Sequence, residues 1–280
     1  MKLAGIIGHP VAHSLSPAFQ SAAFEATGID VRYELWDTPP DLLEARVLQL
    51  RGPQYLGANV TIPHKEAVFP FLDELGGQSA RVGAVNTIVN REGRLYGFNT
   101  DGPGFVAALR NEPHFNPAGR SFALLGAGGA ARGIAFALAE ARAARVAILN
   151  RSQARAERLA ADVSAVSDGV SALPAGSPLG DFDCVVNCTS VGMHGGPDPD
   201  GLPADPACFR PGTLVVDIVY IPAATPFLRA ARAAGLPTLE GLPMLIYQGA
   251  LAFELWTGVA APVDTMYEAA RNALAARPLR

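Results

Sequence analysis

The sequence predicts an α/β protein of two domains, and three observations predict it. Strand-like and helix-like patterns alternate along most of the chain. A polar, proline-containing stretch, NEPHFNPAGR at 111–120, divides that alternation into two series. The second series opens on an apolar strand that runs into a glycine-rich turn and then a helix. The expected domains are therefore 1–110, completed by C-terminal helices at 241–280, and 111–240.

In order along the chain, KLAGIIG, VRYELW, LGANVTI, AVNTIV and RLYGF read as strands. Between them PAFQSAAFEATG, PDLLEARVLQLRG and the segment after His64 read as helices. The second series has strands SFALLG, RVAILN, DCVVNC, TLVVDIVY and PTLE, with helices ARGIAFALAEAR, QARAERLAADV and PFLRAARAAG. After Glu240 the pattern is helical, PMLIYQGALAFELWTG and then VDTMYEAARNALAA. These last helices have no new sheet to cover, so they are expected to pack back on the first domain.

Composition narrows the function classes. Of 280 residues, 49% are apolar and 17% charged, which supports a substantial core and argues against disorder. The net charge of −4 and the lack of a basic run argue against nucleic acid or anionic membrane as a partner. No 18-residue apolar run is present, and MKLAGIIGHP reaches glycine and proline too early for a secretory signal. A cytoplasmic enzyme or binding protein is the expectation. Cys184 and Cys188 lie on one strand, roughly 13 Å apart at about 3.3 Å per residue, too far to share one zinc. No metal is expected.

The loop GHPVAHSLSPAF follows the first strand directly. Pro17 suits the first helical position and Ser16 the N-cap. Ser14 has no such explanation. A helix N-terminus beside two hydroxyls is suited to a carboxylate.

SFALLGAGGAARGIAFALA carries G-x-G-x-x-A, with Gly126, Gly128, and Ala131 in the last slot, and with Gly129 beside them. Its complete strand–turn–helix–strand context reads as a dinucleotide site, in which glycines admit a pyrophosphate to the free amides of a helix start. NAD-binding domains usually end the second strand on an acidic residue. Here ILNRSQAR offers Asn150, Arg151, Ser152 and Arg155 instead. Two guanidiniums and no carboxylate favour a 2′-phosphate, hence NADP. The competing reading makes both arginines solvated surface charges.

Polar residues on apolar elements complete the pattern. Asn59 and Thr61 share one face of ANVTI, and Lys65 is expected in the first turn of a following helix, where a cation opposes the dipole. Asn86 interrupts an apolar strand, and Asn99 and Asp101 stand at a strand's end. Gln248 and Glu254 lie about 120° apart on an otherwise apolar helix, so one solvent face cannot hold both centrally. Each has a bland reading as a turn, a cap, a snorkelling lysine or a satisfied core amide. A pocket for a small polyhydroxy acid explains them together.

With HSLSP, NVTIPHK, GAVNT, NTDGPGF, GAGGAAR, NRSQAR, NCTSVGM, DIVYIPAATPFL and GLPMLIYQGALAFELWTG in order, the chain resembles the shikimate dehydrogenase family over nearly its whole length. The resemblance implies an N-terminal α/β substrate domain plus a Rossmann-type NADP-binding domain. It implies NADPH-dependent reduction of 3-dehydroshikimate to shikimate in aromatic amino-acid biosynthesis. Lys65 and Asp101 match the catalytic pair. Ser14 and Ser16 match the carboxylate-binding serines, and Asn59, Thr61, Asn86, Asp101, Tyr220 and Gln248 match positions around the ring hydroxyls or ketone. NADP contacts would come from Gly126, Ala127, Gly128, Gly129 and Ala130, from Asn150, Arg151, Ser152 and Arg155, and from Thr189, Ser190, Ile218 and Gly241. Phe98, His64 and Pro243 depart from the commoner family residues. A homodimer is the expected oligomer. The alternatives are a quinate/shikimate dehydrogenase using NAD and a non-catalytic NADP-sensing protein, which would not need both Lys65 and Asp101.

Overall fold

The computed structural model describes residues 1–277, so the last three residues of the expected 241–280 segment lie outside the described part. In chain order its first elements are β1 (Lys2–Gly8), α1 (Ser16–Ala26), β2 (Val31–Asp37), α2 (Leu43–Gln49), β3 (Tyr55–Val60), β4 (Glu74–Leu75), α3 (Ser79–Val82), β5 (Thr87–Arg91) and β6 (Arg94–Phe98). They form a six-stranded mixed sheet in the order β2-β1-β3-β5-β6-β4, with β1, β2 and β3 parallel and β5 antiparallel to both neighbours. Alternation along the strands splits the sheet into two faces. On one, Ile7, Trp36, Ala58, Val60 and Ile88 pack with Leu43 and Val47 of α2.

The other face is covered by α1 together with α8 (Gly241–Thr257) and α9 (Val263–Ala275). The Phe24 and Phe253 rings stand 5.1 Å apart, and the Tyr33 and Trp256 rings 6.2 Å apart. Trp256 donates its indole N–H to the Ile88 carbonyl at 2.8 Å. It lies directly over Gly57, where a Cβ would come within 2.5 Å of the indole nitrogen and 2.1 Å of the Ile88 carbonyl oxygen. With φ at +158° as well, position 57 admits only glycine without rearrangement.

The second set of elements is α4 (Asp101–Asn111), β7 (Ser121–Leu125), α5 (Gly129–Glu140), β8 (Arg145–Leu149), α6 (Gln153–Ser164), β9 (Val170–Leu173), β10 (Cys184–Asn187), β11 (Leu214–Asp217), α7 (Pro226–Ala233) and β12 (Thr238–Leu239). Its sheet is wholly parallel, in the order β12-β11-β10-β7-β8-β9. That is the doubly wound order, whose strand sequence reverses between β7 and β10. β7, β8, β10 and β11 read as near-continuous apolar runs because a parallel sheet is covered on both faces.

Two units result, Met1–Thr100 with the chain from Ile246 onward, and Asp101–Leu245. The chain passes between them after Thr100 and again within α8. α4 packs along α5 and so belongs to the second unit. No helix among the described residues is long and apolar enough to cross a membrane.

Two local expectations need correction, and two short strands were not expected. The segment after His64 is a run of turns and a 3-10 turn at Phe69–Phe71, not an α-helix; Pro70 inside it removes a donor and its ring disfavours a continuing helix. The strand expected through TLVVDIVY stops at Asp217, whose carboxylate accepts the Val219 amide and turns the backbone away. The short strands β4 and β9 carry no alternation long enough to be seen in the sequence.

Candidate functional site

The loop after β1 delivers Ser14 and Ser16. Leu15 occupies the N-cap of α1 and Ser16 is its first residue, with no side-chain cap. The Ser14 hydroxyl accepts the Ser16 amide at 3.1 Å, so Ser14 braces the helix start with a short turn, and Ser16 is not the N-cap expected of it. Ser16 is buried, and its hydroxyl meets that of Tyr33, whose phenol is pushed well up by burial. At the C-terminal end, Arg277 donates to the His13 carbonyl and ties this loop down at 2.8 Å.

From Tyr33 a chain of polar contacts crosses the sheet. The Tyr33 hydroxyl donates to Asn59 Oδ1 at 2.7 Å, and Asn59 Nδ2 reaches the Asn86 carbonyl and the Thr87 hydroxyl, each at 3.3 Å. Asn86 Nδ2 donates to the Thr100 hydroxyl at 2.9 Å and to Gln248 Oε1 at 3.1 Å, while its Oδ1 accepts the Thr100 amide at 2.7 Å. Ser16, Asn59, Asn86 and Gln248, chosen from sequence, are thus joined in one network. Tyr33, Thr87 and Thr100 belong to it and were missed. Thr87 and Thr100 sit inside the quoted motifs GAVNT and NTD; Tyr33 lies on an ordinary-looking strand and gave no signal. Glu254 parts from Gln248 as the helical angle requires, being exposed and accepting the Ala261 amide at 3.1 Å.

Thr61 and Lys65 lie just past the end of β3, both partly exposed. Lys65 is in a turn, so the helix-dipole argument for it does not apply. Its position is held by backbone and neighbour instead. The Lys65 carbonyl accepts the Val85 amide at 2.8 Å, and His64, 1% exposed, donates Nε2–H to the Thr38 carbonyl at 2.6 Å. Asn99 donates to the Ala84 carbonyl at 2.9 Å. Asp101, 4% exposed, begins α4, and Tyr220 lies half-buried in the loop after β11; both belong to the second unit.

In the second unit the glycine turn leaves β7 where the strand order reverses. Gly126 has φ +122°, and a Cβ there would stand 3.0 Å from the Cys188 carbonyl oxygen and 3.2 Å from the Thr189 methyl. The close approach of two strand-end loops demands glycine. Gly128, the N-cap of α5, offers no side-chain cap and has open space where a Cβ would project. Ala127, Gly129 and Ala130 are partly exposed around it, whereas Ala131 is fully buried against the sheet. Uncapped amides at the start of a 12-residue helix, with an open approach, fit a pyrophosphate. Beyond β8, Asn150 donates to the Ser152 carbonyl at 3.0 Å, and Ser152 is the α6 N-cap without using its hydroxyl to cap. Arg151, Ser152 and Arg155 are exposed with no carboxylate among residues 150–155, a donor set that fits a 2′-phosphate.

Thr189, Ser190 and Ile218 follow the ends of β10 and β11, and Gly241 packs so closely that a Cβ would meet the Ile218 carbonyl oxygen at 2.5 Å. Beneath these loops lie Asn187 and Asp217, both fully buried, which sequence reasoning passed over as strand residues. Burial pushes the Asp217 carboxyl up to about 6, while hydrogen bonds from Thr225, Val219 and Asn187 pull the other way. Cys188 feels its charge, and burial keeps that thiol neutral by raising it well above its usual range. The folded state therefore holds the Asp217 proton up to about pH 6, the unfolded chain only to about pH 4. Stability from this group falls as pH rises through that window, by about 3 kcal/mol. Asp217→Asn should lose this dependence. Urea unfolding should show the variant gaining on the wild type by that order between pH 4 and pH 7, and parallel pH curves would contradict the assignment.

Matches to family models cover both units. Residues 6–88 match the shikimate dehydrogenase substrate binding domain, residues 110–193 the shikimate/quinate 5-dehydrogenase model, and residues 241–271 the shikimate 5'-dehydrogenase C-terminal domain. The chain is 48% identical to shikimate dehydrogenase (NADP(+)) of Symbiobacterium thermophilum, over 99% of this chain and 96% of that one. The crystal structure of shikimate 5-dehydrogenase from Thermus thermophilus in complex with NADP(H) and shikimate superposes with a TM-score of 0.88 at 44% identity, covering 98% of this chain and all of the other. Quinate dehydrogenase from Corynebacterium glutamicum in complex with NAD gives 0.86 at 33% identity, covering 97% and 99%.

Proposed function

The chain belongs to the shikimate dehydrogenase family, and from that premise we propose that it catalyses the reversible NADPH-dependent reduction of 3-dehydroshikimate to shikimate. The observation that carries the reading is the buried polar chain through Tyr33, Asn59, Asn86, Thr100 and Gln248, which links several elements of the first unit. Amides and hydroxyls held this rigidly suit the recognition of a ring bearing several hydroxyls.

In this reading most of the substrate residues stand in the first unit, with Asp101 and Tyr220 supplied by the second, and the NADP residues stand in the second. Ser14 and Ser16 hold the carboxylate. Asn59, Thr61, Asn86, Tyr220 and Gln248 engage the ring oxygens. Gly126, Ala127, Gly128, Gly129 and Ala130 receive the pyrophosphate, Asn150, Arg151, Ser152 and Arg155 the adenosine 2′-phosphate end, and Thr189, Ser190, Ile218 and Gly241 the remainder. Bound NADPH supplies hydride to the carbonyl carbon. Lys65 acts on the oxygen: as negative charge grows there, its ammonium stabilises the charge and delivers a proton. In the oxidative direction Lys65 takes the hydroxyl proton. Asp101 completes the proposed catalytic pair as its acidic member.

Steady-state oxidation of shikimate and quinate, each with NADP⁺ and NAD⁺, tests the proposal. Turnover confined to shikimate with NADP⁺ is expected. Comparable use of quinate or NAD⁺ would move the protein toward the quinate-dehydrogenase branch, and NADP⁺ binding without any turnover toward a sensing role. A cytoplasmic homodimer completes the reading, its assembly checked by light scattering.

A further inference from the structure

We propose that Asp217 is a positioning residue for the cofactor: through Asn187, Val219 and Thr225 it fixes the two loops that carry Thr189, Ser190 and Ile218. The proposal rests on the family reading for the assignment of those loops to NADP. Its geometry is independent of that reading.

Asp217 ends β11 in register with Asn187 at the end of β10, the strand next to β7 and its glycine turn. Its Oδ1 accepts Asn187 Nδ2 and the Val219 amide, both at 3.0 Å, and its Oδ2 accepts the Thr225 hydroxyl at 2.7 Å. Each donor extends the tie. Asn187 Nδ2 also donates to the Val191 carbonyl at 3.1 Å, and its Oδ1 accepts the Thr189 amide at 3.0 Å and the Thr189 hydroxyl at 2.6 Å. The Thr189 methyl then faces Gly126 of the pyrophosphate turn. On the other side the Val219 amide sets the turn directly after Ile218. Thr225 receives the Leu228 amide at 3.2 Å and so caps α7. One carboxylate thus sets the spacing of both loops.

A role in stability alone does not explain the residue. The three positions before it, Leu214, Val215 and Val216, are apolar and buried, and an apolar side chain would continue that core. The fold instead keeps a buried carboxylate, held by an amide side chain, a backbone N–H and a hydroxyl, and uses both oxygens as acceptors. Retaining such a group is characteristic of a site whose geometry matters more than its stability.

The test compares the wild type with Asp217→Leu and Asp217→Asn. NADPH binding is read by fluorescence, shikimate binding by calorimetry, and steady-state constants in the oxidative direction. Asp217→Leu should weaken NADPH binding and raise the NADP⁺ KM roughly tenfold or more, with kcat and shikimate binding changed several-fold less, because Tyr220 alone of the proposed substrate residues lies in the loop that follows Asp217. Asp217→Asn keeps an oxygen toward Asn187 and Val219 and should restore NADPH binding to within about threefold of wild type. NADPH binding unchanged in Asp217→Leu would overturn the proposal, as would equal loss of NADPH and shikimate binding. If Asp217→Leu does not fold, Thr225→Val, which removes one donor to the carboxylate, should weaken NADPH binding selectively; unchanged binding there would overturn it equally. Wild-type protein that binds no NADPH would instead overturn the proposed NADP assignment.

Discussion

Lys65→Ala is expected to lower kcat by about 10² or more while changing the KM for shikimate only a few-fold. The expectation follows from when the ammonium is needed. The ketone oxygen is nearly neutral in the bound ground state and becomes an alkoxide only as hydride arrives, so a cation there acts mainly on the transition state. The backbone around Lys65 is secured by other groups, the Val85 amide on its carbonyl and the buried His64 ring on the Thr38 carbonyl. Truncating the side chain should leave that turn in place, and stopped-flow or steady-state turnover then reports the lost proton donor rather than lost structure. Near-normal kcat in Lys65→Ala would remove the residue from the mechanism.

The paired change Arg151→Ala and Arg155→Ala is the second large effect. Both side chains are exposed beside the N-terminus of α6, and neither is needed for the core. A charge-assisted hydrogen bond contributes roughly 1.5–3 kcal/mol, so each guanidinium is worth about a tenfold preference or more at a partly solvated phosphate. The double variant should lose on the order of 10² in kcat/KM with NADP⁺ while NAD⁺ changes little, bringing the two cofactors close to parity. Thermal unfolding should be nearly unaffected. An unchanged ratio of NADP⁺ to NAD⁺ use would show that another group reads the 2′-phosphate.

The parts of this molecule that were legible in its sequence are those written by burial. The strands read as KLAGIIG and SFALLG and the helix read as QARAERLAADV fall on β1, β7 and α6, to within a residue at one end, because apolar periodicity reports which face is covered. The buried polar network was legible where a polar residue broke such a pattern, as Asn86 and Gln248 do. Tyr33 and Asp217 were not, for different physical reasons. A tyrosine suits a strand, so its hydroxyl raises no question there. Asp217 reads as lying inside a strand that runs on to Tyr220, so the turn its carboxylate makes at the end of β11 stayed hidden. The move of Ser16 out of the cap has a further cause: one residue of helix boundary moves a serine from cap to first turn, and composition does not resolve that step. Likewise the segment after His64 reads as helical, although Pro70 stands inside it.

The division of the chain, with Met1–Thr100 joined by the segment from Ile246 onward, has a consequence for biosynthesis. A ribosome releases the first hundred residues long before α8 and α9 exist. Until then Phe24 lacks Phe253, and the Ile88 carbonyl lacks the indole of Trp256. The second unit, Asp101–Leu245, is continuous, so all its strands have emerged while the first still waits for its covering helices. The half that is translated first is therefore the half that matures last, and an exposed apolar sheet face is what a nascent-chain chaperone would meet.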